Sequence, residues 1–117
     1  MTFKLKPIPD VSLSVLINVP GDRGKSTQHT ITVRYRLLSV TEQREIFDAS
    51  PEDRPNDDDL MARDVIDIEG IKDEDGKVLP YDIELLSQLM DISYVREPII
   101  NGWLRAQAGA GEAKQKN

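Results

Sequence analysis

The 117-residue chain has 21 acidic and 15 basic residues, a formal net charge of −6, and no cysteine. Its length fits one domain that buries roughly two-thirds of its unfolded surface, and the lack of cysteine excludes disulfides and thiolate metal ligands. No apolar run approaches the roughly 18 residues of a membrane helix, and the N-terminus has no signal-peptide layout. We therefore expect a soluble cytoplasmic protein with no membrane partner.

The charge is unevenly distributed along the chain. Residues 1–41 contain six basic and two acidic side chains, whereas residues 42–91 contain five basic and seventeen acidic ones. Because nucleic-acid binding depends on neutralising phosphates, the acidic middle argues against DNA or RNA as a partner. We interpret it either as a solvated surface that maintains solubility or as an electrostatic guide towards a basic partner.

The first third of the chain reads as β-strands. Apolar residues alternate with polar ones over residues 12–19 and 30–37, the period of half-buried strands. Gly21 and Gly24 lie between the two segments, which predicts an antiparallel hairpin with a long, mobile loop over residues 20–28.

The first residues of the chain also alternate. Phe3 and Leu5 flank a lysine and predict a short third strand, which Pro7 and Pro9 would end because proline donates no backbone hydrogen bond.

Helical signals begin after residue 38. Ser39 or Thr41 is suited to cap a short helix that ends near residue 47, and Ser39 with Glu42 fits a capping box. Residues 49–57 are rich in proline, aspartate and asparagine and predict a loop. A second helix is expected over about residues 58–68, where acidic residues precede its first turn.

Two more helices are predicted after a turn. Asp75 and Gly76 indicate a small hairpin or an extended loop. Asp82 then caps a helix with one apolar face, formed by Ile83, Leu85, Leu86, Leu89 and Met90.

The last helix begins at Asp91 or Ser93 and ends at Gly109, and Pro98 is expected to kink or restart it. Strands followed by helices predict an α+β fold, with a small N-terminal antiparallel sheet packed against about four helices. We assign residues 1–108 to a single domain and expect a disordered tail over 109–117.

No motif assembles a metal site. Asp73, Asp75 and Gly76 resemble part of a calcium loop, but aligning Gly76 with the loop glycine places Ile71 at the first ligand position, where an apolar side chain cannot bind. His29 is the only histidine and has no second histidine or cysteine to share a metal. We predict no metal and no cofactor.

No catalytic set is visible either. The glycines in residues 21–26 lack the spacing of a phosphate loop and the helix that must follow it. Acidic pairs such as Asp57 and Asp58 occur in polar segments, where nothing would raise a carboxyl pKa towards catalytic values. Without a nucleophile, base and orienting group, we predict no catalytic residue and a protein that is not an enzyme.

The last helix carries a wide apolar stripe. Such a stripe at helical spacing usually belongs to a core, but this one covers more than one helix face, so part of it is expected to dock another chain or a second copy. The predicted protein-binding residues are Ile92, Val95, Ile99, Ile100, Trp103 and Leu104.

A segment of the second half resembles a known family. Residues 67–82 read DIEGIKDEDGKVLPYD and are followed by LLSQLMDI and then Tyr94-Val95. This resembles the tail assembly chaperones of long-tailed bacteriophages, in which a segment of the form G-[VI]-x-D-E-D-G-x-x-[VL]-P-[FY] precedes a helix. Position 82 is commonly serine there and is Asp82 here, which preserves the cap. The resemblance covers about residues 60–108.

The resemblance implies a function. Such chaperones bind the long tape measure protein, keep it soluble, promote polymerisation of the tail tube protein around it, and are absent from the mature virion. It also implies action in the cytoplasm of the bacterial host, with possible self-association. The alternatives are a small structural tail component, such as a terminator or connector subunit, and a small-molecule or metal-binding regulator.

The resemblance further implies a longer second product made by a ribosomal frameshift. The last three residues, Gln115 to Asn117, can be encoded by a run of the A-AAA-AAY type on which ribosomes slip back by one base. An ordinary polar tail is the alternative. The gene sequence distinguishes the two, because a frameshift needs that run and an overlapping −1 frame.

Overall fold

The alternating residues of the first third build two long paired strands in the computed structural model, which describes residues 2–113. Strand β1 (Asp10–Pro20) and strand β2 (Ser26–Arg36) are antiparallel, and their register runs from Asp10 opposite Arg36 to Pro20 opposite Ser26. The predicted hairpin is confirmed. Its apolar face is buried and its polar face is largely exposed to solvent.

The loop of the hairpin is shorter than predicted. Only residues 21–25 connect the strands, and the Gly21 N–H donates to the Lys25 carbonyl at 2.6 Å. The expectation of a long, mobile loop over residues 20–28 was wrong, because polar residues 26–28 join the ladder through their backbone despite their exposed side chains. We call this end of the sheet the hairpin end.

The predicted strand near the N-terminus does not form. Residues 2–9 contain no regular secondary structure, and the side chains of Phe3 and Leu5 are 86% and 92% exposed. At the end of this segment, the Leu37 N–H donates to the Pro9 carbonyl at 2.8 Å. We call residues 2–9 the N-terminal arm.

Three helices begin as the sequence predicts. Helix α1 (Val40–Phe47) has a capping box, in which Glu42 N–H donates to Ser39 Oγ and Ser39 N–H donates to the Glu42 carboxylate. Helix α2 (Asp57–Asp64) is capped by Asn56, with three acidic residues in its first turn. The Asp82 carboxylate accepts from Leu85 N–H at 2.8 Å and caps helix α3 (Ile83–Met90).

The predicted helix over residues 58–68 was wrong in its second half. After α2 ends at Asp64, strand β3 (Val65–Glu69) pairs with β2, and Val65 lies opposite Tyr35. Helical spacing of the apolar residues misled the prediction. Val65, Ile66 and Ile68 are β-branched, and pairing with a distant strand, which local periodicity does not reveal, stabilises the extended form.

Helix α4 (Ser93–Gln107) crosses the sheet and contains Pro98 without interruption. Its cap is Ile92, not Asp91 or Ser93, and has no side-chain cap bond. The predicted end is confirmed: Gly109 adopts φ +100° and donates to Ala106, while Ala110 donates to Arg105. This is a Schellman motif, which favours glycine at the left-handed position.

The residues after α4 return to the sheet. Strand β4 (Glu112–Ala113) pairs with Val11 and Ser12 of β1, which gives the strand order β3-β2-β1-β4. The predicted disordered tail over 109–117 is therefore corrected for residues 109–113, and residues 114–117 lie outside the described part. Gly111 fits here because a Cβ would lie 2.8 Å from the Ser12 carbonyl oxygen.

The result is an α+β fold in which the helices cover the apolar face of the sheet, as the sequence predicts. Within residues 2–113, no helix is long and apolar enough to cross a membrane. The buried core draws on β1, β2, β3 and all four helices, with Val15, Val33, Tyr35, Met61 and Ile99 among its least exposed side chains.

Candidate functional site

Half of the predicted binding stripe on α4 belongs to the core. Val95, Ile99 and Trp103 are buried, with exposed fractions of 7%, 0% and 2%. Ile92 and Ile100 are partly buried against the same core, and Leu104 is 47% exposed. Of the two roles left open by the sequence, Ile99 and Trp103 therefore have the core role, and Val95 belongs to the core while also bordering the groove described below.

Trp103 is held by a buried carboxylate that the sequence did not single out. Its Nε1 donates to Asp64 Oδ2 at 2.7 Å, and Asp64 is completely buried. Arg63 donates to both carboxylate oxygens at 2.8 and 3.0 Å, and Arg36 donates to Oδ1 at 3.1 Å. We call Asp64, Arg36, Arg63 and Trp103 the Asp64 cluster.

The Asp64 cluster joins elements and has no catalytic geometry. Two guanidinium groups and the indole occupy the carboxylate, so it cannot accept a proton from a substrate. Arg36 also donates to Glu42 at 3.2 Å. The Ser39 backbone N–H and then Arg36 hold the pKa of the Glu42 carboxyl below its ordinary value. These bonds tie α1, α2 and α4 to the end of β2.

A second contact sets the distance between α4 and the sheet. The Tyr35 hydroxyl donates to the Ile99 carbonyl at 2.7 Å, and burial raises the pKa of Tyr35 above its ordinary value. Gly102 lies against the same ring: a Cβ there would be 2.3 Å from the tyrosine oxygen. Only glycine lets the helix backbone approach this closely.

At the hairpin end the helices do not completely fill the space over the apolar sheet face, although Ile17 and Ile31 are themselves buried. An open groove of about 400 Å³ lies there between β1, β2, the segment after β3, α3 and the start of α4. We call it the hairpin-end groove. Its apolar lining is Ile17, Val19, Ile31, Ile71, Leu89 and Val95, and His29, Gly70 and Lys72 complete it.

The segment after β3 forms one wall of the groove, and a turn in the following residues holds it in place. Gly70 adopts φ +100° and lies close to β2: a Cβ at this position would be 3.5 Å from the Ile31 Cα. Ile71 then pairs with Leu79, whose N–H donates to the Ile71 carbonyl at 2.9 Å. The Asp73 carboxylate accepts from the N–H groups of Asp75 and Lys77. The acidic motif therefore forms a turn that braces the wall.

Only Val95 of the predicted binding residues lines the groove. His29, the single histidine of the sequence, is exposed and lies at the rim of the groove. The sequence did not reveal the groove, because its lining comes from five segments that are adjacent only after folding. The sequence contained one relevant signal: the alternation of apolar and polar residues in β1 continues to Val19, which the helices bury only partly.

Comparisons of the chain with protein-family models, with curated proteins and with solved structures found no match. The hairpin-end groove is therefore the structural observation that bears on function.

Proposed function

We propose that this protein is a phage tail assembly chaperone that holds apolar side chains of the tape measure protein in the hairpin-end groove. One observation carries the proposal: five of the nine residues that line the groove come from the region of the family resemblance, residues 60–108. Gly70, Ile71 and Lys72 come from the segment itself, and Leu89 and Val95 come from the two helices that follow it.

The groove has the chemistry that such a client requires. An amphipathic helix docks by inserting apolar side chains at helical spacing into an apolar groove. A volume of about 400 Å³ lies within the range of roughly 300–1,000 Å³ typical of binding sites. The protein acts by binding and not by catalysis.

The acidic middle of the chain would keep the complex with the client soluble. Seventeen acidic residues lie between positions 42 and 91, and most of them are exposed. Several copies along one client would give the complex a net negative charge that opposes aggregation. The chaperone then leaves as the tail tube protein polymerises. It acts in the cytoplasm of the bacterial host and is absent from the mature virion.

Native mass spectrometry of the protein co-expressed with a tape measure protein tests the proposal. A soluble complex containing one client and several copies of this chain is the expected result. Rings of this chain alone would favour a terminator or connector subunit. A client that stays insoluble, with no complex, would contradict the chaperone function.

Two matched variants locate the client site. Val19 is a partly buried residue of the groove, whereas Leu16 is 47% exposed on the opposite face of the same strand. Val19→Asp places a carboxylate where the client is expected to exclude water, and should weaken client binding at least tenfold. Leu16→Asp adds the same charge and should leave client binding unchanged. Equal effects of the two variants would contradict the groove as the site.

A further inference from the structure

The N-terminal arm presents apolar side chains that nothing in its own fold covers. Phe3 and Leu5 are the two most exposed large apolar residues in the described part of the chain, at 86% and 92%. They are two residues apart, so an extended arm directs both to the same side. An exposed pair of this kind is typical of a segment that binds elsewhere.

The hairpin-end groove matches this pair in size and chemistry. An apolar cavity of roughly 150 Å³ holds one benzene molecule. A groove of about 400 Å³ lined by six aliphatic side chains therefore accommodates both the ring of Phe3 and the side chain of Leu5.

The arm cannot reach the groove of its own chain. Pro9 continues the line of β1, because its carbonyl accepts from Leu37 N–H beyond the Asp10–Arg36 pair. The arm thus leaves the sheet at the end opposite the hairpin. Ile17, eight residues along the strand from Pro9, is roughly 26 Å away at about 3.3 Å per residue.

The remaining length of the arm is shorter than this distance. From Pro9, a fully extended chain carries Leu5 at most about 14 Å and Phe3 at most about 22 Å. Both values fall short of Ile17 and Val19. Ile31, which lies opposite Val15, is nearer, at roughly 20 Å from Pro9, but α4 packs on β1 over the direct path and buries Val11, Leu13 and Val15. The occupant must therefore come from another molecule.

Charge favours the same pairing. The arm carries Lys4 between its two apolar residues. The groove wall at Ile71 and Lys72 continues directly into the turn in which Glu74 and Asp75 are exposed. An arm seated in the groove brings the Lys4 side chain towards these two carboxylates, which steers association and fixes its direction.

We propose that the arm of one copy inserts Phe3 and Leu5 into the hairpin-end groove of a second copy. The arm and the groove are different surfaces, so the contact is heterologous, and a pair of bound copies still offers one free arm and one free groove. The protein therefore associates head to tail into rings or short chains. This inference uses the groove and is independent of the client proposed for it.

Sedimentation velocity over a wide concentration range tests the contact. The parent protein should increase in mass with concentration, and Phe3→Ser/Leu5→Ser should remain monomeric, with association at least roughly a hundredfold weaker from the loss of two buried apolar side chains. Its thermal midpoint should be unchanged, since both side chains are exposed within one copy. A monomeric parent, or a double variant that still associates, would overturn the inference.

The matched control also tests the helical stripe. Val40 and Leu104 are 62% and 47% exposed on α1 and α4, so Val40→Ser/Leu104→Ser removes comparable apolar surface. This control should associate like the parent. If it becomes monomeric while the arm variant still associates, the interface lies on the helices and the arm has no role.

Mixing two variants tests the head-to-tail geometry. The arm variant has an intact groove, and Val19→Asp has an intact arm, so each should be monomeric alone. Their mixture should form one-to-one heterodimers and nothing larger, because only one productive contact remains. A mixture that stays monomeric would contradict arm-into-groove binding.

The client assay separates this inference from the proposed function. The arm variant should still form a complex with the tape measure protein, because its groove is intact. If Val19→Asp loses the client while the arm variant self-associates normally, only the arm inference fails. If the arm controls association but no variant affects the client, only the client site fails.

Discussion

The two ends of the sheet differ in how closely the helices pack against them. At one end, the Asp64 cluster joins β2, α2 and α4 through a fully buried carboxylate whose hydrogen-bonding positions are occupied by Arg36, Arg63 and Trp103. At the hairpin end, an open apolar groove remains between the sheet, α3, the start of α4 and the segment after β3. The closed end should therefore determine stability, and the open end should determine binding.

The largest expected effect is at the closed end. Asp64→Ala leaves the buried Trp103 N–H without an acceptor and removes the shared partner of two partly exposed arginines, which should cost about 2–4 kcal/mol. Urea unfolding measures the loss. Asp58→Ala is the control, because Asp58 pairs with Arg96 at the surface and such a pair contributes less than about 1 kcal/mol. Equal losses would remove the distinction between the two ends.

The contact between α4 and β2 should give a smaller loss. Gly102→Ala places a methyl group 2.3 Å from the Tyr35 oxygen, and overpacking of this kind costs about 1–3 kcal/mol. Tyr35→Phe removes that oxygen, so the double variant should lose less than the sum of the two single variants. Strict additivity in this cycle would show that the helix shifts instead of pressing on the ring.

Cavity-forming substitutions compare the closed core at the centre of β1 with the hairpin end of the same strand. Val15 is completely buried, whereas Val19 is only partly buried in the groove. Val15→Ala should cost about 2 kcal/mol, at roughly 0.8 kcal/mol per methyl-sized group plus a cavity contribution. Val19→Ala should cost less than about 1 kcal/mol. A larger loss at Val19 would indicate that the groove is part of the closed core.

The smallest expected effect is the pH dependence contributed by Tyr35. Burial raises its pKa in the folded state, so the unfolded chain, with a tyrosine pKa of about 10, loses the proton first. Stability from this group is fully present below pH about 10 and is lost as pH rises towards the folded-state pKa. Tyr35→Phe should flatten this alkaline decline in unfolding free energy. An identical alkaline slope in parent and variant would contradict it.

Local signals in the sequence predicted the local parts of the structure. The capping box at Ser39, the Asp82 cap and the glycine end of α4 depend on residues within a few positions of one another. The alternating faces of β1 and β2 likewise follow from the period of the strand. For the same reason, the prediction failed at β3, where local spacing fits a helix and the deciding partner is Tyr35, thirty residues away.

The candidate site was predicted less well, since its residues meet only after folding. The sequence indicated the apolar residues of α4 but not which of them would remain accessible, because exposure depends on what packs against each helix face. The six predicted residues divide into three in the core, two partly buried and Leu104 exposed. Val95 alone also reaches the groove.

The sequence by itself determined the α+β class, the hairpin and its buried face, and the caps of α1 and α3, because neighbours along the chain produce these features. Only the tertiary structure determined that Asp64 is the buried acidic residue, that position 102 needs glycine, and that a groove remains at the hairpin end. Each of these depends on contacts between segments distant in sequence. The burial of a side chain and its pairing with an opposite charge depend on how the whole chain packs, and no local sequence pattern specifies them.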